Sequence, residues 1–385
     1  MSSEPVALDR PTPQKISEAA LLDRATHQKF LVNPYVRVTY CGSNEILVKH
    51  GSRSRFSHVI ADEGHTKLLG RILRNLAEPT SVIDLEQRSV LRESEREDAA
   101  RLVDFLVRQR VLITPNQYLP HAYLAMQFGG TAVEALQSQT VGLIGSGFLG
   151  SRIARDLARL KVKGLRLLDD RRVAAQDRDY FDLSPEAVEP GSSYVSLIQR
   201  TLEGYGYKGV QGIEADLQDP KALAELFGQS DFVVAALESP SPGAFHAANE
   251  AALSAGKPWM TVFVDGSEAV IGPIYVPGET LCYNEFEIQN EAASRLQVDY
   301  LIYQETLASE PLAARHLVLP PFLSLTSGWT TTAALSFLTS RKSFVVGRSI
   351  RVDFERFAVD HQDVLKLPRC PACAGQRPAY RHTFL

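Results

Sequence analysis

The sequence predicts an α/β protein in two parts: a Rossmann-like domain over residues 138–385, preceded by a small winged-helix-like α+β domain over residues 29–120. Three observations predict it. A glycine loop, Gly145-Ser146-Gly147-Phe148-Leu149-Gly150, stands between an apolar pentapeptide and an amphipathic stretch. Beyond it, strand-like apolar runs alternate with helical patterns. Before it, strand patterns come first and helical periodicity follows, which is the order of an α+β module.

Residues 1–28 carry Pro, Ser and mixed charge without sustained periodicity, and are expected to form a flexible segment. Tyr35–Cys41 and Glu45–Lys49 read as strands joined in a hairpin by Gly42-Ser43-Asn44, with a third short strand at Phe56–Ile60. Helical spacing follows: Thr66–Leu76 places Leu68, Leu69, Ile72 and Leu76 on one face, and Ser94–Val111 does the same with Ala99, Leu102, Val103, Phe105, Leu106 and Val111. The acids of Arg92–Asp98 open that last helix, where they complement its dipole and would meet nucleic-acid phosphates unfavourably. A third strand lying beside a helix offers a groove in which an extended peptide can add as a strand.

After a linker over residues 121–137, the second domain reads as strands at Thr140–Ile144, Gly164–Leu168, Val210–Glu214, Phe232–Leu237 and Trp259–Val264, with a helix over Pro242–Ala255. This alternation makes a parallel sheet with crossover helices. Ala269–Val276 adds a strand pair or hairpin. The glycine loop sits where a strand turns into a helix, so Gly145, Gly147 and Gly150 are the candidate contacts of a vestigial nucleotide loop, the alternative being that they serve only helix-on-sheet packing. Asp169, at the end of the next strand, is the candidate ribose ligand. Thr326–Thr332 reads as a capped start to an apolar helix over Ala333–Phe337, packing on the sheet or a partner subunit.

Composition narrows the function classes. The chain has 385 residues, a net charge of -4 and 22% charged residues, so no global basic surface argues for nucleic acid. It contains no apolar run of membrane-spanning length and no hydrophobic signal core, which implies no membrane partner and a cytoplasmic location. Four cysteines are too few for a disulfide framework, and Cys370-Pro371-Ala372-Cys373 has the spacing of a metal or redox pair. No Gly-x-Ser-x-Gly elbow is present, and His246 in the Ala-rich helix has no acid or nucleophile at a suggestive spacing.

The glycine loop, Asp169, Ser230–Val234, Gly272–Gly278, Cys282-Tyr283 and the closing Cys370–Cys373 occur in the order of ThiF-like proteins, the adenylating fold of ubiquitin-activating enzymes, which the chain therefore resembles. It looks most like the branch acting on ribosomally made peptides, in which the fold follows an N-terminal RiPP recognition element. Residues 30–376 are covered by the two resemblances together. They imply a leader peptide lying along Arg55, Phe56, His58, Val59 and Ile60 and facing Leu102, Phe105 and Leu106. They also imply a homodimer.

The chain departs from the family at the charged positions. Aligned with active members, the second acid of an Asp-x-Asp pair falls on Arg171, an Arg-Gln pair near Tyr180-Phe181, and a Lys near Tyr194, while the last Asp becomes Glu238. Arg178 and Glu238 are the available substitutes. Cations and magnesium-holding acids stabilise a transferring phosphoryl group, so their loss together predicts no adenylation and no ATP. The family's zinc pattern survives as Cys282, Cys370 and Cys373, with Glu285 in the fourth place, and implies a structural zinc. The resulting expectation is a non-adenylating, leader-peptide-binding protein that serves a YcaO-type ATP-dependent cyclodehydratase. The alternatives are an active adenylating enzyme acting on a peptide carboxylate and an NAD-linked oxidoreductase.

Overall fold

The computed structural model describes residues 18–42, 44–62, 64, 66–183, 187–294, 297–309 and 318–376. The chain divides into two compact units, Met1–Gly130 and Thr131–Leu385.

The first unit runs α1 (Glu18–His27), β1 (Leu31–Val32), β2 (Arg37–Tyr40), β3 (Glu45–Lys49), β4 (Ser57–Ala61), α2 (Leu68–Arg74), α3 (Val82–Gln87), α4 (Arg96–Arg108), β5 (Leu112–Ile113) and α5 (Leu119–Phe128). Strands β2, β3 and β4 form an antiparallel sheet in that order. On β3, Ile46 and Val48 turn inward, as the twofold side-chain period of a strand requires. They meet Leu69 and Ile72 of α2, Leu85 of α3, and Val103 and Leu106 of α4 in one core. A capping box between Ser81 and Asp84 starts α3. The acids of the Arg92–Asp98 cluster are structural: Glu95 receives the Arg71 guanidinium and Glu97 pairs with Arg101.

Two expectations are corrected here. Residues 18–27 are helical, not part of a flexible segment, and Ala25 is buried in the core with Leu22 packed against it; residues 1–17 lie outside the described residues. The expected linker is two helices, α5 and α6 (Ala132–Gln137). Pro120 sits in the first turn of α5, and Ala122, Leu124 and Met126 are buried. The two-residue strands β1 and β5 pair Leu31 with Ile113, a long-range contact too short to leave a sequence period.

The second unit continues from α6 with β6 (Thr140–Ile144), α7 (Phe148–Arg159), β7 (Gly164–Leu168), α8 (Tyr194–Gly204), β8 (Val210–Ile213), α9 (Pro220–Gly228), β9 (Phe232–Leu237), α10 (Pro242–Ala255), β10 (Trp259–Asp265) and β11 (Glu268–Tyr275). It ends with α11 (Tyr283–Ala293), α12 (Gln297–Ser309), α13 (Pro320–Ser340), β12 (Arg348–Asp353) and β13 (Ala358–Asp363). The eight strands lie in the order β13-β12-β11-β10-β9-β6-β7-β8. The stretch from β10 to β8 is parallel, and β11 to β13 add antiparallel. Central strands β6 and β9 are buried at every position, which is why they read as unbroken apolar runs. Helix α13 is longer than expected. Pro320 and Pro321 open it, and Thr326 and Thr330 stand in its interior with their hydroxyls donating to the carbonyls of Phe322 and Thr326. That back-bonding lets polar residues sit in a buried helix. Among the described residues no helix is long and apolar enough to cross a membrane.

Candidate functional sites

The glycine loop joins β6 to α7, the position a phosphate-binding loop requires. Gly145 has φ +90°, and a Cβ there would stand 2.4 Å from the Ala236 carbonyl oxygen; a Cβ at Gly150 would strike the Gly145 carbonyl. These two glycines are therefore demanded by the backbone turn and by helix-on-strand contact, with or without a ligand. Asp169, at the end of β7, is fully buried, and its Oδ2 accepts the Ser146 amide at 2.6 Å. Glu238, after β9, accepts the Leu149 amide on Oε1 at 2.9 Å. Arg171 spans the two acids, giving Nε and Nη2 to Asp169 at 2.9 and 2.8 Å and Nη1 to Glu238 at 2.9 Å. Burial lowers the pKa of this guanidinium, but Glu238 and Asp169 more than offset it and hold the charge firmly in place.

The positions the resemblance assigns to phosphate-binding cations are aromatic and packed together. Phe148 lies 5.3 Å from Tyr180 and 5.0 Å from Phe181 between ring centroids, and Phe181 lies 5.3 Å from Tyr194. The Tyr194 hydroxyl donates to Asp177 at 2.7 Å, and Arg171 lies over the Tyr194 ring. Arg178 is exposed. Arg152, in α7, was not singled out by the sequence. It is 5% exposed and gives Nη1 to the Phe148 carbonyl, while its Nε has no hydrogen-bond partner among the described residues. Burial lowers its pKa, opposed by Asp182 and Glu238. An arginine on the apolar face of α7 was the available signal.

At the other end of the unit, Cys282, Glu285, Cys370 and Cys373 are all buried, with one ligand atom from each lying within 4.8 Å of the others. Cys282 caps α11 and Glu285 closes its capping box, taking the Cys282 amide on Oε2 at 2.8 Å. The Leu367 amide donates to Oε1, and the Cys373 thiol lies 3.4 Å from Oε2. Cys282 and Cys370 Sγ are 3.7 Å apart, close to the ~3.8 Å edge that Zn–S bonds of about 2.3 Å give a tetrahedron. Burial pushes the Cys282 and Cys373 thiols up. For Cys370 burial also acts upward, but hydrogen bonds from Asn284 and the Cys373 and Ala372 amides bring it down. The donor set fits a tetrahedral metal: Cys282, Cys370 and Cys373 would hold it with Glu285 as fourth ligand.

In the first unit, β4 pairs only with β3 among the described residues, so its outer edge is open. Val59 is 63% and Phe105 38% exposed, Arg55 is exposed, and Phe56, His58 and Leu102 are half-buried. The structure corrects two expected contacts, since Ile60 and Leu106 are core residues; strand alternation turns Ile60 away from Val59, and Leu106 lies on the buried stripe of α4. A recess of about 360 Å³ opens at the end of β4, lined by Ala61, Asp62, Leu68, Asp98 and Leu102 among others. His246 packs edge-on to Tyr283 at 5.0 Å, which gives it a packing role.

The ThiF family model matches residues 121–372, and the chain belongs to that family. No curated protein matches it. Among solved structures, Escherichia coli MccB with ATP is 18% identical over 90% of this chain and 100% of its own, with a TM-score of 0.60. The microcin C7 biosynthetic enzyme MccB in complex with N-formylated MccA is 17% identical, again over 90% and 100%, with a TM-score of 0.61. PaaA is 18% identical over 86% and 99%, with a TM-score of 0.59. At these identities the likeness establishes the fold.

Proposed function

We propose that this ThiF-family protein binds the leader of a ribosomally made precursor peptide, through a RiPP recognition element in its first unit and without adenylating the peptide. It presents the precursor to a YcaO-type cyclodehydratase, which uses ATP to activate backbone amides and closes Cys, Ser or Thr side chains onto them as azolines. Affinity held in one protein raises the substrate concentration at the partner's active site, to about millimolar for a short tether. Structural zinc, homodimerisation and a cytoplasmic location belong to the same reading.

The observation that carries it is the open β4 edge, with Leu102 of α4 lining the recess at the end of that strand. Main-chain hydrogen bonds along such an edge supply affinity, and alternate side-chain pockets supply selectivity. The aromatic cluster of Phe148, Tyr180, Phe181 and Tyr194 supports the non-adenylating half, because it offers a polyphosphate no cation. Fluorescence anisotropy with the synthetic leader of a precursor encoded beside this gene tests the groove. Val59→Glu should weaken binding at least ~10-fold, about 1.4 kcal/mol, and unchanged affinity sinks the β4 site.

A second reading, active adenylation of a peptide carboxylate, draws on the MccB structures, which cover that enzyme's length and include an ATP complex. Pyrophosphate exchange in the presence of the precursor decides between the two readings: ATP-dependent exchange above the no-peptide rate establishes the second.

A further inference from the structure

We infer that Glu238 is a built-in stand-in for a nucleotide phosphate: the anion site of the glycine loop is already filled by this chain's own carboxylate, locked there by Arg171. Glu238 fills this role whether or not β4 takes a peptide, although the inference rests on the second unit being non-adenylating.

The N-terminus of a helix entered from a glycine loop is an anion site because its first amides point outward unpaired and the helix dipole adds positive potential. Here a carboxylate is bound at that place. Glu238 Oε1 takes the Leu149 amide in the first turn of α7, and Oε2 takes Arg171 Nη1. These are the two kinds of donor, amide and guanidinium, that a phosphate oxygen would use. The Glu238 side chain is 7% exposed, so the contact lies within the fold.

Gly147 supplies the independent observation. A Cβ at this position would stand 2.5 and 2.8 Å from the two Glu238 oxygens and 2.9 Å from Arg171 Nη2. The glycine that lets a pyrophosphate approach a loop backbone in nucleotide-binding members of such folds is here the glycine that lets Glu238 and Arg171 approach. Arg171 is anchored from the other side by its fork to Asp169, which also holds the Ser146 amide. Two of the loop's amides are thus answered by side chains of this protein. Ser146 Oγ, fully buried in the same loop, has no partner among the described residues. The internal ion triad needs the glycine at 147, backbone packing needs those at 145 and 150, and a nucleotide is not required to explain any of the three.

The consequence runs against the usual effect of removing an acid from a nucleotide fold. Deleting Glu238 should create anion binding by freeing the Leu149 amide and one arm of an arginine still positioned by Asp169. The test is calorimetric titration of the full chain with sodium pyrophosphate and with magnesium ATP. Wild type is expected to show no saturable heat up to about 1 mM, and Glu238→Ala to bind pyrophosphate at least ~10-fold more tightly than wild type. Arg171→Ala, which loosens the same corner but leaves the carboxylate on the loop, is expected to gain nothing. Glu238→Gln, of the same shape, replaces the alanine variant if that fails to fold and should show a smaller gain. In the wild type, hydrogen exchange at the Leu149 amide should be protected, a readout that needs no variant. Tight ATP binding by wild type that Glu238→Ala weakens would overturn the inference, since Glu238 would then serve the nucleotide. A folded Glu238 variant that gains no anion binding, or an unprotected Leu149 amide, would also overturn it while leaving the non-adenylating reading intact.

Discussion

The glycine-loop corner and the cysteine corner of the second unit both gather acids and backbone amides, yet they differ in where the positive charge comes from. At the loop, Asp169 and Glu238 are answered by Arg171 from the same chain. At the cysteine corner, Glu285 is met by two amides and a thiol, and three sulfurs converge beside it. The first arrangement is complete with its own cation, and the second has the donor set of a site that takes one from solution. Each keeps part of a family pattern, and at the cysteine corner the retained residues could hold a metal ion.

The largest expected effect breaks the cysteine side. Purified protein should carry about one zinc per chain by elemental analysis, and Cys370→Ser should lose it. The stability lost is about 4 kcal/mol when free metal stands a thousandfold above its dissociation constant, read as a lower unfolding midpoint. An equal midpoint with and without chelator would erase the contrast between the corners. Removing Arg171 attacks the other side. Arg171→Ala leaves buried Asp169 and Glu238 without their cation, which costs about 3 kcal/mol, near the lower end for a broken buried pair because the guanidinium itself is 38% exposed. Denaturant unfolding measures it, and a loss under about 1 kcal/mol would mean that the triad is an ordinary surface ion pair.

A smaller effect sharpens the comparison by supplying a surface reference. Glu95 in the first unit takes the Arg71 guanidinium and the Arg92 amide, and these hydrogen bonds hold its carboxyl below the ordinary 4.5. A depressed folded value stabilises the protein above the unfolded value, and that contribution is lost as pH falls from 4.5 through the folded value. Thermal melts of Glu95→Gln should therefore differ from wild type above pH 4.5 by no more than about 1 kcal/mol and converge in acid. Salt should weaken this pair and leave the Arg171 triad nearly unchanged.

Much of this was legible in the residues. The apolar runs of β6 and β9, the loop between β6 and α7, and the 3.6-residue stripe of α4 each carry a local period, and each is where it was expected. The cysteine cluster was legible from spacing and family likeness, and Glu285 joins it as the third residue of a capping box. Helix α3 was not located, and helices α5 and α6 were not anticipated, because six to ten residues in a stretch that reads as connection leave too little periodicity to separate helix from linker. Ile60 and Leu106 were misread as groove residues because sequence shows that a face is apolar and not which apolar face is covered.

The sequence by itself determined the order of strands and helices and the glycine turn, since these are statements about residue type and local spacing. Only the tertiary structure decided which groups meet at the glycine loop. Arg171 meets Glu238 across 67 residues of chain, and the Leu149 amide meets the same carboxylate across 89. No local pattern encodes such a meeting, which exists because the parallel sheet brings the ends of β6, β7 and β9 to one edge.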